Sequence, residues 1–272
     1  MVKRVIKIVI LFVSVTLLLL GGWYMYKSLD YKKETFSENI YNYVSPQATE
    51  VFNVNKDYNI DDILTYNPAL SDLTQTVNDY LTPPILITKN KDNSYILTAK
   101  AKYEHYSDIL DYIERHIALP YPAKQTQYKD VDIFSYTMQD EGFLCVTLYK
   151  GIFAVSRSYK TICTFIDSDP ENTFFNDNVN RSRMEKICIN SPVSIFIKDE
   201  KNIFALDYKL QNDTINLSGY MLDIPSSISD TTQTDNRYAP YLINFPENTC
   251  IDSISVESNN PPSVKIILNK MH

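Results

Sequence analysis

Nineteen consecutive residues, Ile8 to Tyr26, carry no charge and are flanked by Lys7 and Lys27. At ~1.5 Å per residue a helix of that length measures ~28 Å, enough to cross a hydrocarbon core of ~30 Å. After Lys27 the pattern changes. Short apolar or alternating runs predict strands at "ATEVFNVN", at "PILIT" and "YILTAKAKY" joined by the polar "KNKDNS", and at "VDIFSYTM", "FLCVTLY" and "IFAVSR" joined by "QDEG" and "KG". Turns this short force antiparallel neighbours. Further strands are expected at "VSIFIK", "IFALDYKL" and "TINLSGYML", with a last pair at "CIDSISVES" and "SVKIILN". Helical spacing recurs three times. Leu70, Leu73, Val77 and Leu81 form one stripe, opened by Asn67 as N-cap with Pro68 at the first helical position and closed by Pro83 and Pro84. Ile109, Leu110, Ile113 and Ile117 form a second behind a Ser107 cap, and Ser158 opens a third in "YKTICTFI". The poorly periodic stretch from Asp167 to Lys186 predicts a further helical piece. Helices grouped against antiparallel strands give an α+β fold, here an N-terminal transmembrane helix followed by antiparallel sheet meanders with a few packed helices.

Along the chain this makes a transmembrane signal anchor over residues 1–27, a juxtamembrane spacer over 28–43, an α+β domain over 44–222, a mobile linker over 223–240 and a C-terminal strand pair over 241–272. The linker stretch, "DIPSSISDTTQTDNRY", has almost no apolar residues to offset ordering. A Pro-x-x-Thr string at Pro46 to Thr49 recurs at Pro246 to Thr249; taken as a repeat, it would begin a second unit near Tyr241.

The N-terminal run reads as retained. Its apolar length exceeds the ~7–15 residues of a cleavable signal peptide, and Leu19 and Leu20 stand two before Gly21 and Gly22, where a peptidase needs a small residue. The run passes directly into Trp23, Tyr24 and Tyr26, an interfacial aromatic belt, and no Cys follows for lipid attachment. Lys3, Arg4 and Lys7 nearly balance Lys27, Lys32 and Lys33; the α-amino group tips the count toward N-terminus inside, so the bulk of the chain is expected to face outward. The alternative is a cytoplasmic domain tethered by its N-terminus.

Four of the 26 basic residues belong to the anchor, so the remaining 22 face 33 acidic ones, a net charge of −11. That excludes nucleic acid and an anionic membrane surface as expected partners, since both require a basic face. Cys145, Cys163, Cys188 and Cys250 form no C-x-x-C pair; two disulfides with three connectivities are open, although Cys145 in mid-strand and Cys163 in mid-helix fit buried free thiols better.

Catalytic chemistry is sparse. The three histidines are His105, His116 and His272; His105 with Asp108 and His116 with Glu114 lie on or beside one acidic helix, with no third ligand at useful spacing for a metal. No G-x-S-x-G elbow or glycine-rich phosphate loop occurs. "DSDPENTFFNDN" from Asp167 starts like a calcium loop, yet its sixth position is Asn172 instead of Gly and its twelfth is Asn178 instead of Glu. Asp61 and Asp62 suit a helix N-terminus. No catalytic, cofactor-binding or metal-binding residue is assigned, and no cofactor is expected. The 21 tyrosines fit half-buried strand positions or a sugar-stacking face.

The order of an N-terminal anchor, the "SPQAT" strand entry, the "NPALSDL" helix start, the "SRSY" strand-to-helix junction and "IFALDYKLQNDTINLSGYML" resembles an uncharacterised family of single-pass membrane-anchored envelope proteins of gut-type anaerobic bacteria, over roughly residues 1 to 225. The resemblance implies a domain of unknown function on the outer side of the bacterial inner membrane, facing the periplasm, and carries over no site residues. The expected function is a non-enzymatic binding or scaffolding domain with a protein or glycan partner, inserted in the membrane through residues 8–26. The alternatives are a cell-wall or polysaccharide-acting enzyme using paired carboxylates, or a sugar-binding module using exposed tyrosines.

Overall fold

Period-two segments of the chain become strands of one sheet. In the computed structural model the described residues are 7, 11–26, 38–55, 60–175, 191–198, 203–211, 214–221, 249–257 and 263–270. The sequence expectations for a helical piece beyond Phe175, for Cys188 and for the linker over 223–240 lie outside them. Met1–Glu38 and Asn39–His272 form two separate units. In the first, residues 11–26 form helix α1. At ~1.5 Å per residue this stretch is ~24 Å long, and among the described residues no helix is long and apolar enough to cross a membrane.

The second unit is α+β, mostly one antiparallel sheet. Its strands are β1 (Ala48–Val54), β2 (Leu81–Asn90), β3 (Tyr95–Ala101), β4 (Lys124–Tyr128), β5 (Val131–Thr137), β6 (Phe143–Tyr149), β7 (Ile152–Ser156), β8 (Val193–Lys198), β9 (Ile203–Gln211), β10 (Thr214–Met221), β11 (Thr249–Glu257) and β12 (Ser263–Lys270). They lie in the order β11-β12-β10-β9-β8-β1-β2-β3-β7-β6-β5-β4. The helices are α2 (Asp61–Tyr66), α3 (Ser71–Thr74), α4 (Tyr106–His116) and α5 (Tyr159–Ile166). Two-residue turns with both residues at positive φ, Lys150-Gly151 and Lys129-Asp130, match the twist of the strands they join.

Both faces of the central strands are covered, and their side chains alternate accordingly. One face gathers Phe52, Val54, Ile87, Leu206 and Tyr208 with Ile63, Tyr66, Leu70 and Leu73 of the α2–α3 region and Ile109 and Ile113 of α4. The other gathers Val51, Leu86, Phe196 and Ala205 with Ile162, Phe165 and Ile166 of α5 and Phe174 and Phe175. Ile40 and Tyr43, at the end of the expected spacer, are buried in this second layer. The C-terminal hairpin belongs to the same sheet, because β12 pairs with β10 from Thr214↔Asn269 to Tyr220↔Ser263 and buries Val264, Ile266 and Leu268.

Three expectations need correction. The stripe from Leu70 to Leu81 is not one helix: Asn67 caps a 3-10 turn over Pro68–Leu70, α3 ends at Thr74, and Leu81 already belongs to β2. Asn78 Oδ1 accepts from the Tyr80 N–H, turning the chain locally and competing with helix continuation. Pro83 and Pro84 do not stop an element but lie within β2, where the pairing with β3 shifts between Thr82 and Leu86 and a missing N–H interrupts no ladder bond. Ser107 is not the cap of α4, whose N-cap is His105 without a side-chain bond; the preceding turn Tyr103–His105 feeds straight into the helix. Ser158 caps α5 as expected, accepting from the Thr161 N–H. β4, "KQTQY", has no sequence signature, since it is an edge strand with little apolar burial.

Candidate functional site

A β-bulge shapes the candidate site. Ala48 pairs with Asn90 and Glu50 with Lys89, so β1 advances two residues while β2 advances one, leaving Thr49 extra. Bulges re-aim side chains in this way. Phe52 and Val54 face the first core layer, and Glu50, two residues before Phe52, shares that face, whereas Ala48 beyond the bulge packs in the second layer. The Thr49 hydroxyl donates to the Lys89 carbonyl at 3.3 Å, holding the bulge closed.

Across four neighbouring strands the register aligns Ile197 of β8, Glu50 of β1, Lys89 of β2 and Tyr95 of β3. Glu50 is only 4% exposed, and its Oε1 has no hydrogen-bond partner. Burial pushes its carboxyl up to about 7, against the pull of the Lys89 ammonium and the nearby Tyr66 hydroxyl. Tyr66, from the end of α2, is itself fully buried, with its hydroxyl beside the Glu50 carboxyl. Desolvation, followed by the proximity of Glu50, raises the Tyr66 phenol well above its ordinary value. Tyr66, Phe52 and Tyr208 pack edge to face with centroids 5.3, 6.5 and 6.0 Å apart, which closes this end of the carboxyl's surroundings to water. Lys89 Nζ lies 5.9 Å from the centre of the Tyr95 ring, whose hydroxyl accepts from Asn67 Nδ2 at 2.8 Å.

Where β1 begins and β2 and β8 end, a pocket of about 620 Å³ is lined by Pro46, Thr49, Glu50, Lys89, Lys91 and Lys198, among others. The β2–β3 turn supplies Asn90 and Asn93 to its wall. Asn93 sits at φ 62, and Asp92 Oδ1 accepts from both the N–H and the hydroxyl of Ser94, which fixes the turn. Asn90 Oδ1 is buried without a partner. Among the described residues no ion pair within 4.0 Å uses Lys89, Lys91 or Lys198. Lys198 Nζ instead lies 5.7 Å from the centre of the Phe174 ring. Among the described residues the pocket rim thus carries Glu50 and Lys89 on one face of the sheet, Lys198 on the other and Lys91 at the β2–β3 turn.

The residues singled out from the sequence are elsewhere. His105 Nδ1 lies 3.4 Å from Asp108 Oδ2, and His116 stacks on Tyr112 and approaches the Tyr112 carbonyl at 3.0 Å. Among the described residues no group of three His, Cys, Asp or Glu could hold a metal ion. Asp167, the first acid of the calcium-like string, instead bonds Lys129 Nζ at 2.7 Å and the Tyr128 hydroxyl at 2.8 Å, tying the β4–β5 turn to the end of α5. Asp61 and Asp62 are the first two residues of α2. Cys145 is buried, Cys163 half-buried and Cys250 exposed, all three as free thiols. Burial pushes the thiols of Cys145 and Cys163 up.

Glu50, Lys89, Lys91 and Lys198 were invisible to sequence reasoning because they are far apart in the chain and meet only through strand pairing. The one available signal was Glu50 inside the apolar run "ATEVFNV". On the opposite face of β1, a second polar row crosses Asn53, Ser194 and Asp207, with Asn53 Nδ2, Ser194 Oγ and Asp207 Oδ1 unpartnered. Comparison with protein-family models, with curated proteins and with solved structures finds no match to this chain.

Proposed function

We propose that this protein is a non-enzymatic binding domain held at a bacterial inner membrane by its N-terminal segment, with the sheet domain on the periplasmic side. The anchor rests on the uncharged run from Ile8 to Tyr26 and its aromatic end. The resemblance to membrane-anchored envelope proteins of gut-type anaerobes agrees with this placement. The single observation that carries the binding reading is the pocket of about 620 Å³ at the ends of β1, β2 and β8, whose wall among the described residues includes Lys89, Lys91, Lys198 and the polar Asn90–Asn93 turn. Among the described residues Glu50 is the carboxyl that lines it, and a two-carboxylate hydrolytic mechanism would need a second acid.

Hydrogen exchange on the full chain in detergent micelles, with and without a low-molecular-mass extract of bacterial envelope, tests the reading. Added protection should concentrate in residues 45–51, 86–94 and 193–198. No protection, or protection confined to the edge strands β4 and β11, refutes it and favours a scaffold that pairs through its sheet edges.

A further inference from the structure

The two edges of the sheet differ. Among the described residues β11 forms one and β4 the other. β11 is bulged between Ile251 and Ser253, a device that turns an edge away from further pairing, whereas β4 keeps an unbroken register with β5 from Lys124↔Ser135 to Tyr128↔Val131. The two-residue turn Lys129-Asp130 fixes which main-chain groups of β4 bond to β5. In a hairpin of this kind the residues flanking the turn exchange both of their bonds and bonded positions then alternate, so Tyr128, Thr126 and Lys124 bond inward. The Thr137 carbonyl, next in the same series on β5, accepts from the Leu119 N–H at 2.9 Å and keeps to that alternation. The N–H and C=O groups of Gln125 and Gln127 therefore point away from the sheet, and both residues are exposed.

We propose that β4 is the contact between two copies of this chain, paired antiparallel about a twofold axis at Thr126. Centred there, all five residues of β4 find partners. Gln125 faces Gln127 of the second copy and Gln127 faces its Gln125, each pair exchanging two main-chain bonds, while Thr126 meets Thr126 and Lys124 meets Tyr128. Centring on Gln125 or on Gln127 instead leaves Tyr128 or Lys124 beyond the end of the facing strand. The side chains fit the same register. Gln125 and Gln127, on the face of Phe134 and Asp132, each offer an amide donor and acceptor to the other. Lys124, a residue that ordinarily discourages pairing at an edge, has its stem against the Tyr128 ring and its charge diagonal to the exposed Asp130 of the second copy. This contact goes beyond the pocket, which lies on β1, β2 and β8 in the middle of the strand order.

Light scattering on the full chain in detergent micelles should give a particle of two chains. Thr126→Glu sets two carboxylates against each other at the axis and should weaken the pair at least severalfold. Thr126→Lys should do the same, and an equimolar mixture of the two variants should recover the pair. Gln125→Pro removes an outward N–H without touching a bond to β5, so it should dissociate the pair and leave the near-ultraviolet spectrum unchanged; if it loses its fold, the charge variants decide. Mild oxidation should cross-link Thr126→Cys in a Cys250→Ser background but not Lys265→Cys, on the exposed face of β12, in the same background. A single chain at every concentration overturns the proposal and leaves the edge to another occupant. A two-chain particle indifferent to the charge variants, or one that their mixture fails to recover, overturns it by placing the contact elsewhere. Equal cross-linking at both cysteine positions reports collision alone and overturns it as well.

Discussion

Replacing Glu50 by Gln keeps the side chain's size and hydrogen-bonding reach while removing its charge. The native carboxyl is raised from its ordinary 4.5 to about 7 by complete burial. Between those values the folded protein holds a proton that the unfolded chain has lost, so stability falls as pH rises from about 4.5 to about 7 and stays low above it. Below 4.5 both states are protonated and the penalty is absent. At about 1.36 kcal/mol per tenfold change in proton affinity, the full penalty is about 3 kcal/mol. For a domain of this size that corresponds to roughly 6–12 °C in Tm. Thermal melts of wild type and Glu50→Gln at pH 4 and pH 8 should therefore show a variant more stable at pH 8, with the gap closing at pH 4. The difference between the two proteins cancels the other carboxylates. A variant no more stable than wild type at pH 8, or a gap of the same size at both pH values, refutes the assignment of a buried, proton-retaining Glu50.

Arg157 bonds Asp72 Oδ2 at 2.7 Å through Nη1 and Asp140 through Nη2, tying α3 to the β5–β6 turn, so Arg157→Ala should cost about 1 kcal/mol in urea unfolding at low salt and less at high salt; an equal loss in 1 M salt would exclude a charge contribution. The hydroxyl of Ser194 is fully buried without a partner, so Ser194→Ala should leave stability unchanged or raise it, and a loss above about 1 kcal/mol would show that it has a partner after all. A thiol reagent should modify exposed Cys250 first, half-buried Cys163 more slowly and buried Cys145 only on unfolding; early reaction of Cys145 would contradict its place between β5 and β7. After a tryptic cut at Arg237, the C-terminal fragment should remain bound, because β12 pairs with β10 and buries Ile266 and Leu268; its release under native conditions would refute that pairing as a source of cohesion.

Local pattern was enough to determine much of the sheet. The runs around Ile133, Val146 and Val155, with turns of few residues between them, have one low-cost arrangement, and β5, β6 and β7 adopt it. The Ser158 cap and the apolar stripe of α4 were equally legible, since both depend on residues within a few positions of each other. Where several local patterns compete, tertiary packing decided. The stripe from Leu70 to Leu81 has helical spacing, yet Leu70 and Leu73 pack under a capped turn while Leu81 enters β2, because the sheet offers Leu81 a buried partner face. The polar β4 is a strand only because β5 presents an open edge. The site follows the same logic at longer range. Nothing near Glu50 in the chain announces Lys89, Lys91 or Lys198; one extra residue at Thr49 and the pairing of β1 with both β2 and β8 bring them together. The residue types were present in the sequence, but burial, which raises the Glu50 carboxyl and leaves its oxygen unpaired, exists only once distant strands and α2 close over it.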